Sequence, residues 1–271
     1  MSIAGFLRSY WHRFAGDRLK RRVSREQPSR SLDRSDWQAS LGDPTGFYLD
    51  CVRYFCLQLP PAIREHRQYF YNVPGKRRGF GEDAFHVMWF LVFKELKPAS
   101  FLEIGVFRGQ TISLAGLLAR TSGLNCEIQA ISPFSPAADS VSNYPQDIDY
   151  YQDTLHNFDH FGLAHPKLLR AFSTDAEALA LIKSRTWDLV YIDGNHEYEV
   201  ARQDWDSCSA GLKPGGCIVL DDAGLTTTYV PPVFATGGHP GPSRLASEID
   251  RRQFAEILQV GHNRVFQKKA G

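Results

Sequence analysis

The sequence predicts an α/β fold: a mostly parallel, doubly wound sheet of seven strands, with an antiparallel hairpin at its C-terminal end and accessory helices at its N-terminal end. Three observations predict it. From residue 99 onward, short apolar runs at 100–104, 127–131, 167–172, 187–192 and 216–220 alternate with stretches of helical periodicity. That alternation is the pattern of a parallel sheet covered by helices on both faces. Residues 256–260 and 264–267 are two further strands, joined by Gly261-His262-Asn263, a hairpin turn. Before residue 99 the alternation is absent and helical stretches take its place.

The elements follow in order. The first 40 residues are rich in arginine, and Phe6, Leu7, Tyr10, Trp11 and Phe14 recur there at helical spacing beside Arg8, Arg13, Arg18, Lys20, Arg21 and Arg22. A basic amphipathic helix of this kind packs on its own domain or on a partner subunit, or lies on an anionic membrane surface. Packing is the expected arrangement. Residues 44–97 read as helical, with a mostly apolar run over 47–59 that ends at Pro60-Pro61, where a helix cannot continue. Residues 72–81 contain Pro74, Gly75, Gly79 and Gly81 and read as a loop. Residues 85–96 form a strongly apolar helix closed by Lys97-Pro98. In the helix over 197–212, Tyr198, Ala201, Trp205, Cys208 and Leu212 share one face. The expected division is an N-terminal helical accessory segment over 1–80 and the α/β domain over 81–271.

Composition excludes several classes. Lys and Arg number 31 against 30 Asp and Glu, so the strong basic excess of a nucleic-acid binder is missing. The five cysteines, Cys51, Cys56, Cys126, Cys208 and Cys217, are odd in number and show no C-x-x-C spacing, which favours free cytosolic thiols over disulfides or a zinc site. No apolar run approaches a membrane span of ~20 residues, and no secretory signal is recognisable. A soluble cytoplasmic protein is expected.

The strand at 100–104 runs into Glu103-Ile104-Gly105-Val106-Phe107-Arg108-Gly109 and then a helix. Gly105 allows a tight turn and close approach of a ligand to the backbone. Gly109 relieves crowding where the helix begins, and the helix N-terminus offers unpaired N–H groups. In open α/β sheets such a loop lies at the carboxyl ends of the strands, beside the switch point where ligands bind. The spacing E-x-G-x-x-x-G differs from the dinucleotide fingerprint G-x-G-x-x-G. After the third strand, Ser173 or Thr174 can cap the next helix, with Asp175 favouring its dipole.

Two apolar strands end in acids at the same end of the sheet: one in Asp193, the other in Asp221-Asp222. Neighbouring parallel strands would bring these carboxylates together. Converging carboxylates persist only if protonated, paired or bound to metal. Hard oxygen donors suit Mg²⁺, Mn²⁺ or Ca²⁺. The plain alternative is one aspartate capping a helix and another facing solvent. Residues 223–243 then make a long loop, either a lid with Tyr229 and His239 as candidate acceptor contacts or a plain surface loop.

The run D-L-V-Y-I-D-G-N-H-E-Y-E over 188–199, followed by L-K-P-G-G-C-I-V-L-D-D over 212–222, together with the glycine loop, resembles the class I S-adenosylmethionine-dependent methyltransferases of the methyltransferase-24 type. These include metal-dependent sugar O-methyltransferases of antibiotic biosynthesis. The motifs cover residues 99–222. The resemblance implies a Rossmann-like fold and S-adenosyl-L-methionine as methyl donor, with Glu103, Gly105, Gly109, Ser132, Ser173, Asp175 and Asp193 on the cofactor. It implies a divalent metal, Mg²⁺, on Asp193, Asp221 and Asp222, and His196 as general base beside Asp193. It implies a small-molecule acceptor, a sugar or glycoside among the options. The family carries an acid where this chain has Ser132, and Asp139 further on is a possible substitute. A nicotinamide-dependent oxidoreductase on the same fold, or a non-catalytic scaffold, are the alternatives. A homo-oligomer is compatible with the sequence.

Overall fold

The structure, a computed structural model, describes residues 3–26, 30–71, 78–137, 139–142 and 144–270, with side chains from Trp11 onward. Pro74 and Gly75, and the side chains of Phe6, Leu7, Arg8 and Tyr10, lie outside the described residues. Helices α1 (Ile3–Val23), α2 (Ala39–Gly42), α3 (Pro44–Leu57), α4 (Pro61–Tyr71) and α5 (Asp83–Leu96) precede the first strand. Then come β1 (Ser100–Ile104), α6 (Gln110–Thr121), β2 (Glu127–Ser132), α7 (Tyr150–His160), β3 (Lys167–Arg170) and α8 (Ala176–Lys183). The chain continues through β4 (Trp187–Ile192), α9 (Tyr198–Ala210), β5 (Leu212–Leu220), α10 (Pro240–Glu248), β6 (Phe254–Val260) and β7 (Asn263–Lys268).

The seven strands form one sheet in the order β3-β2-β1-β4-β5-β7-β6. The first five are parallel, and β7 and β6 close the edge antiparallel. This is the expected doubly wound, Rossmann-like arrangement. Side-chain alternation along the strands divides the core. Phe101, Leu189, Tyr191, Cys217, Val219 and Val265 pack with α3, α5 and α6 on one face. Leu102, Val190, Ile192, Ile218 and Phe266 pack with α8, α9 and α10 on the other. Each fully buried apolar side chain contributes about 1.5–3 kcal/mol.

The N-terminal helices belong to the first of these cores. Trp37, Phe47, Tyr48 and Cys51 are fully or almost fully buried with it. Asp43 caps α3, its Oδ1 accepting from the Gly46 N–H at 2.9 Å, and Pro44 opens the first turn. Pro60-Pro61 both stops α3 and starts α4, because proline suits the first helical position. Ser40 Oγ accepts from the Gln259 N–H at 2.8 Å, tying α2 to the hairpin strand β6. Among the described residues no helix is long and apolar enough to cross a membrane.

Three expectations need correction. Strand β3 ends at Arg170, two residues before the end of the apolar run. The N-cap of α8 is Asp175, in extended backbone (φ −71°, ψ 151°), and neither Ser173 nor Thr174 holds that position. The segment 223–243 is not loop throughout, because Pro240 opens α10. The part before it is pinned: Ala223 bridges Gly238, and the Val230 N–H donates to Thr45 Oγ1 at 2.9 Å.

Candidate active site

The strand order reverses between β1 and β4, so the crevice at their carboxyl ends is the switch point. Register sets its contents. Ile104 pairs with Ile192, and Ile192 with Leu220. The next residue of each strand is therefore Gly105, Asp193 and Asp221, side by side. The Asp193 N–H donates to Ile104 O at 2.9 Å and the Asp221 N–H to Ile192 O at 3.0 Å, carrying the ladder one step past the strand ends.

Gly105 has φ +88°, and a Cβ there would stand 2.0 Å from the Asp193 carbonyl oxygen. Only glycine fits, and the constraint comes from the neighbouring strand end as much as from any ligand. Gly109, at φ +76°, is the N-cap of α6, and a Cβ would press on Thr154 of α7 at 2.8 Å. The predicted crowding at this helix start is thus a helix–helix contact. Glu103, one strand position earlier, is buried, and its Oε2 has no hydrogen-bond partner. Burial, aided by the charge of Asp221, pushes its carboxyl well above the usual carboxylate range.

The three aspartates converge, but not as one equal set. Asp193 is half-buried and stands beside Asp221 at the end of the neighbouring strand. Burial, then the charges of Asp221 and Asp222, push the Asp193 carboxyl well up. Burial also opposes charge on Asp221, yet His262 and the bonds from Asp193 and Tyr191 outweigh it and hold Asp221 low. Asp222 adopts φ +52°, the left-handed region, which turns its carboxylate away from the strand line. Among the described residues, two groups have ligand atoms within 4.8 Å of one another: Asp221, Asp222 and His262, and His196, Asp222 and His239. Asp222 is common to both, and Asp193 stands in neither.

His262 comes from the hairpin turn between β6 and β7. Its Nε2 lies 3.2 Å from Asp221 Oδ1 and 3.8 Å from Asp222 Oδ1, and its Nδ1 is 3.0 Å from Thr236 O. The carboxylates beside Nε2 favour the charged ring. Burial works against that charge, but Asp221, Asp222 and Glu82 prevail and raise its pKa to about 10.

His196 lies between two carboxylates. Its Nδ1 is 2.6 Å from Asp139 Oδ2 and its Nε2 is 2.8 Å from Asp222 Oδ2. Burial lowers its pKa, yet Asp222 and Asp139 outweigh this and lift it to about 9. Asp139 therefore belongs to His196. Ser132, buried at the end of β2, donates through Oγ to Val106 O at 3.2 Å and lines the same cavity.

A cavity of about 1200 Å³ connects these groups. Glu103, Gly105, Ser132, Ser173, Asp193 and His196 line it, as do Asp221, Asp222, His239 and His262. Asp175 does not, since its Oδ2 accepts from the Phe172 N–H at 2.9 Å. Tyr229 does not either: it is buried, and its ring lies 5.6 Å from that of Tyr48. Gly109 is also outside the lining, whereas Arg108 and Gln110 beside it are within. Sequence reasoning missed His262, Glu82 and Tyr48. Tyr48 hydrogen-bonds Glu82 in the cavity wall, and burial raises the Glu82 carboxyl. The available signal was His262 itself, an imidazole in a hairpin turn flanked by apolar strands.

Residues 102–223 match the sequence model of a family described as a methyltransferase domain. No curated protein matches the chain in sequence. Among solved structures, the chain resembles the SAH-bound methyltransferase PaMTH1 of Podospora anserina, with 16% identity, 78% of this chain and 89% of that chain covered, and a TM-score of 0.54. It also resembles an SAH-bound O-methyltransferase from Bacillus cereus, with 12% identity, coverage of 88% and 100%, and a TM-score of 0.53. A third is the SAM-bound O-methyltransferase TomG of Streptomyces achromogenes, involved in tomaymycin synthesis, with 14% identity, coverage of 88% and 100%, and a TM-score of 0.53. At these identities the likeness is one of fold.

Proposed function

Because residues 102–223 match the sequence model of a methyltransferase domain, we propose that the protein transfers the methyl group of S-adenosylmethionine to a hydroxyl oxygen of a small-molecule acceptor, with a divalent cation at Asp193, Asp221 and Asp222. The observation that carries this reading is the single cavity running from the Gly105 turn past Asp193 to Asp221, Asp222 and His196. The donor's place is the turn after β1, with Glu103, Ser132 and Ser173 around it. The acceptor's place is the adjoining space at Asp222, His196, His239 and His262. The TomG and Bacillus cereus likenesses favour oxygen as the methyl acceptor, and a sugar or glycoside is the acceptor class proposed.

Two features support the cation. Asp221 Oδ1 is buried without a hydrogen bond, His262 Nε2 being near but misaligned. Burial and the charges of Asp221 and Asp222 oppose ionisation of Asp193, and a cation at the three carboxylates would relieve that repulsion. Three carboxylates suit Mg²⁺, and the imidazoles within reach of Asp222 extend the choice to Mn²⁺. When bound, such a cation lowers the pKa of a hydroxyl and orients it.

The chain's own groups supply the rest. His196 is oriented by Asp139 through Nδ1. Its Nε2 accepts a proton only when Asp222 is engaged elsewhere, because Asp222 now holds that atom. His262, its pKa raised by Asp221 and Asp222, offsets negative charge at the aspartates when protonated. The cavity walls position donor and acceptor for an in-line transfer, and positioning of this kind supplies most of the acceleration in such reactions. The reading is tested by transfer of a radiolabelled methyl group to a panel of sugars, glycosides and phenols, with and without EDTA. Labelled product that EDTA suppresses supports it. Product formed equally in EDTA removes the cation from the account.

A further inference from the structure

Helix α1 has two unlike faces. Its inner face, with His12, Arg13, Gly16, Leu19 and Lys20, forms part of the cavity wall. It is held there by Lys20 Nζ at 2.8 Å from Asp83 Oδ2 and by Arg13 Nη2 donating to Tyr71 O at 2.9 Å. Its outer face is a stripe made of Trp11, Phe14, Arg18, Arg21 and Arg22, continued past the helix end by Arg25. Trp11 is 66% and Phe14 47% exposed, and their rings meet edge to face at 6.0 Å. All four arginines are exposed. In sequence, Leu7 stands four residues before Trp11 and seven before Phe14, the spacing of one helical face.

Two exposed aromatics in contact are a cost in water unless something covers them. Among the described residues Arg18, Arg21 and Arg25 make no ion pair, and Arg22 has only a 3.8 Å contact with Glu26. Asp17 and Glu26 leave the stripe net positive. The order along the axis is aromatic first, guanidinium second. A bilayer surface offers both partners at once: an interfacial layer that takes up Trp and Phe, and anionic headgroups for arginine. A second copy docked face to face would bring arginines against arginines or against the aromatic pair, with no acidic stripe to meet them.

We propose that the outer face of α1 docks the protein peripherally on an anionic lipid surface, with Trp11 and Phe14 entering the interface and Arg18, Arg21 and Arg25 on headgroups. The inference goes beyond methyl transfer and does not depend on it. The helix lies on the surface and does not cross it, in keeping with its arginine content.

The test is co-sedimentation of the full chain with vesicles of phosphatidylcholine alone, and of phosphatidylcholine mixed equally with phosphatidylglycerol. Binding is expected to the mixed vesicles only, and it should weaken as salt rises. The triple variant R18Q/R21Q/R25Q should lower the partition coefficient on the order of a hundredfold, at about fivefold per arginine. The double variant W11A/F14A should lower it at least about tenfold. All five side chains point to solvent, and an unchanged melting temperature verifies that the variants fold. Equal binding to both vesicle types, or to wild type and triple variant, would overturn the proposal. So would a dimer in sedimentation velocity that W11A/F14A dissociates, since the face would then be covered by a second copy. Retention on duplex DNA without vesicle binding would overturn it as well.

Discussion

Asp139 holds His196 by two contacts, its Oδ2 accepting from the His196 backbone N–H at 2.9 Å and from ring Nδ1 at 2.6 Å. The carboxylate is kept low despite burial by these bonds and by N–H groups of its own loop. A group fixed in this way sets both the tautomer and the direction of the imidazole, as carboxylates behind catalytic or metal-binding histidines do. Asp139→Asn should therefore cost about 10–100-fold in kcat. The His196 titration, followed by NMR, should fall from about 9 toward 6.5. An unchanged titration would show that Asp222 alone governs the ring.

Burial and the charges of Asp221 and Asp222 raise the Asp193 carboxyl well above the usual range, so an amide at this position imitates its neutral form. Asp193→Asn should raise stability in EDTA by about 1 kcal/mol or more, because the carboxyl no longer needs to take up a proton. The same variant should lose methyl transfer by on the order of a hundredfold or more, while S-adenosylhomocysteine binding stays within a few-fold. Thermal melts and calorimetry separate the two effects. A destabilised variant would mean that Asp193 is charged in the folded protein.

Stability in EDTA should fall as pH rises. His196 and His262 have folded pKa values of about 9 and about 10 against an ordinary 6.5. Each contributes stability that is fully present below 6.5 and lost as pH climbs through the folded value. Asp193, also raised, acts in the same direction, since its folded form keeps a proton that the unfolded chain releases. Melting temperatures recorded from neutral pH to about pH 10 should drop steadily. A flat profile would mean that the histidines are neutral in the fold.

Gly105→Ala puts a Cβ 2.0 Å from the Asp193 carbonyl oxygen at a φ of +88°. The cost should be about 3 kcal/mol or more, with loss of S-adenosylhomocysteine binding. Gly215→Ala is the control: its φ is +79°, but a Cβ there meets nothing within 4 Å. It should cost about 1 kcal/mol and leave binding intact. Equal losses in urea melts would mean that φ, and not the close approach to Asp193, sets the penalty.

Much of this site was legible because it lies on consecutive positions of periodic elements. Alternating strands and helices led to the sheet, and strand ends led to Gly105, Asp193, Asp221 and Asp222. The remainder comes from segments without a period. Asp139 lies in the stretch between β2 and α7, where no repeat marks which acid turns inward. His262, Glu82 and Tyr48 reach the cavity only because the hairpin and the N-terminal helices close over it, contacts between residues far apart in sequence. Asp175 went the other way: an acid at a helix start looked like a ligand contact, yet its carboxylate turns back onto the Phe172 N–H.

Calorimetric titration of the protein with S-adenosylhomocysteine reads the donor site itself and needs no knowledge of the acceptor. One site per chain with micromolar or tighter affinity is expected, abolished in Gly105→Ala and retained in Asp193→Asn. Absence of binding, accompanied by saturable binding of NADH, would contradict it.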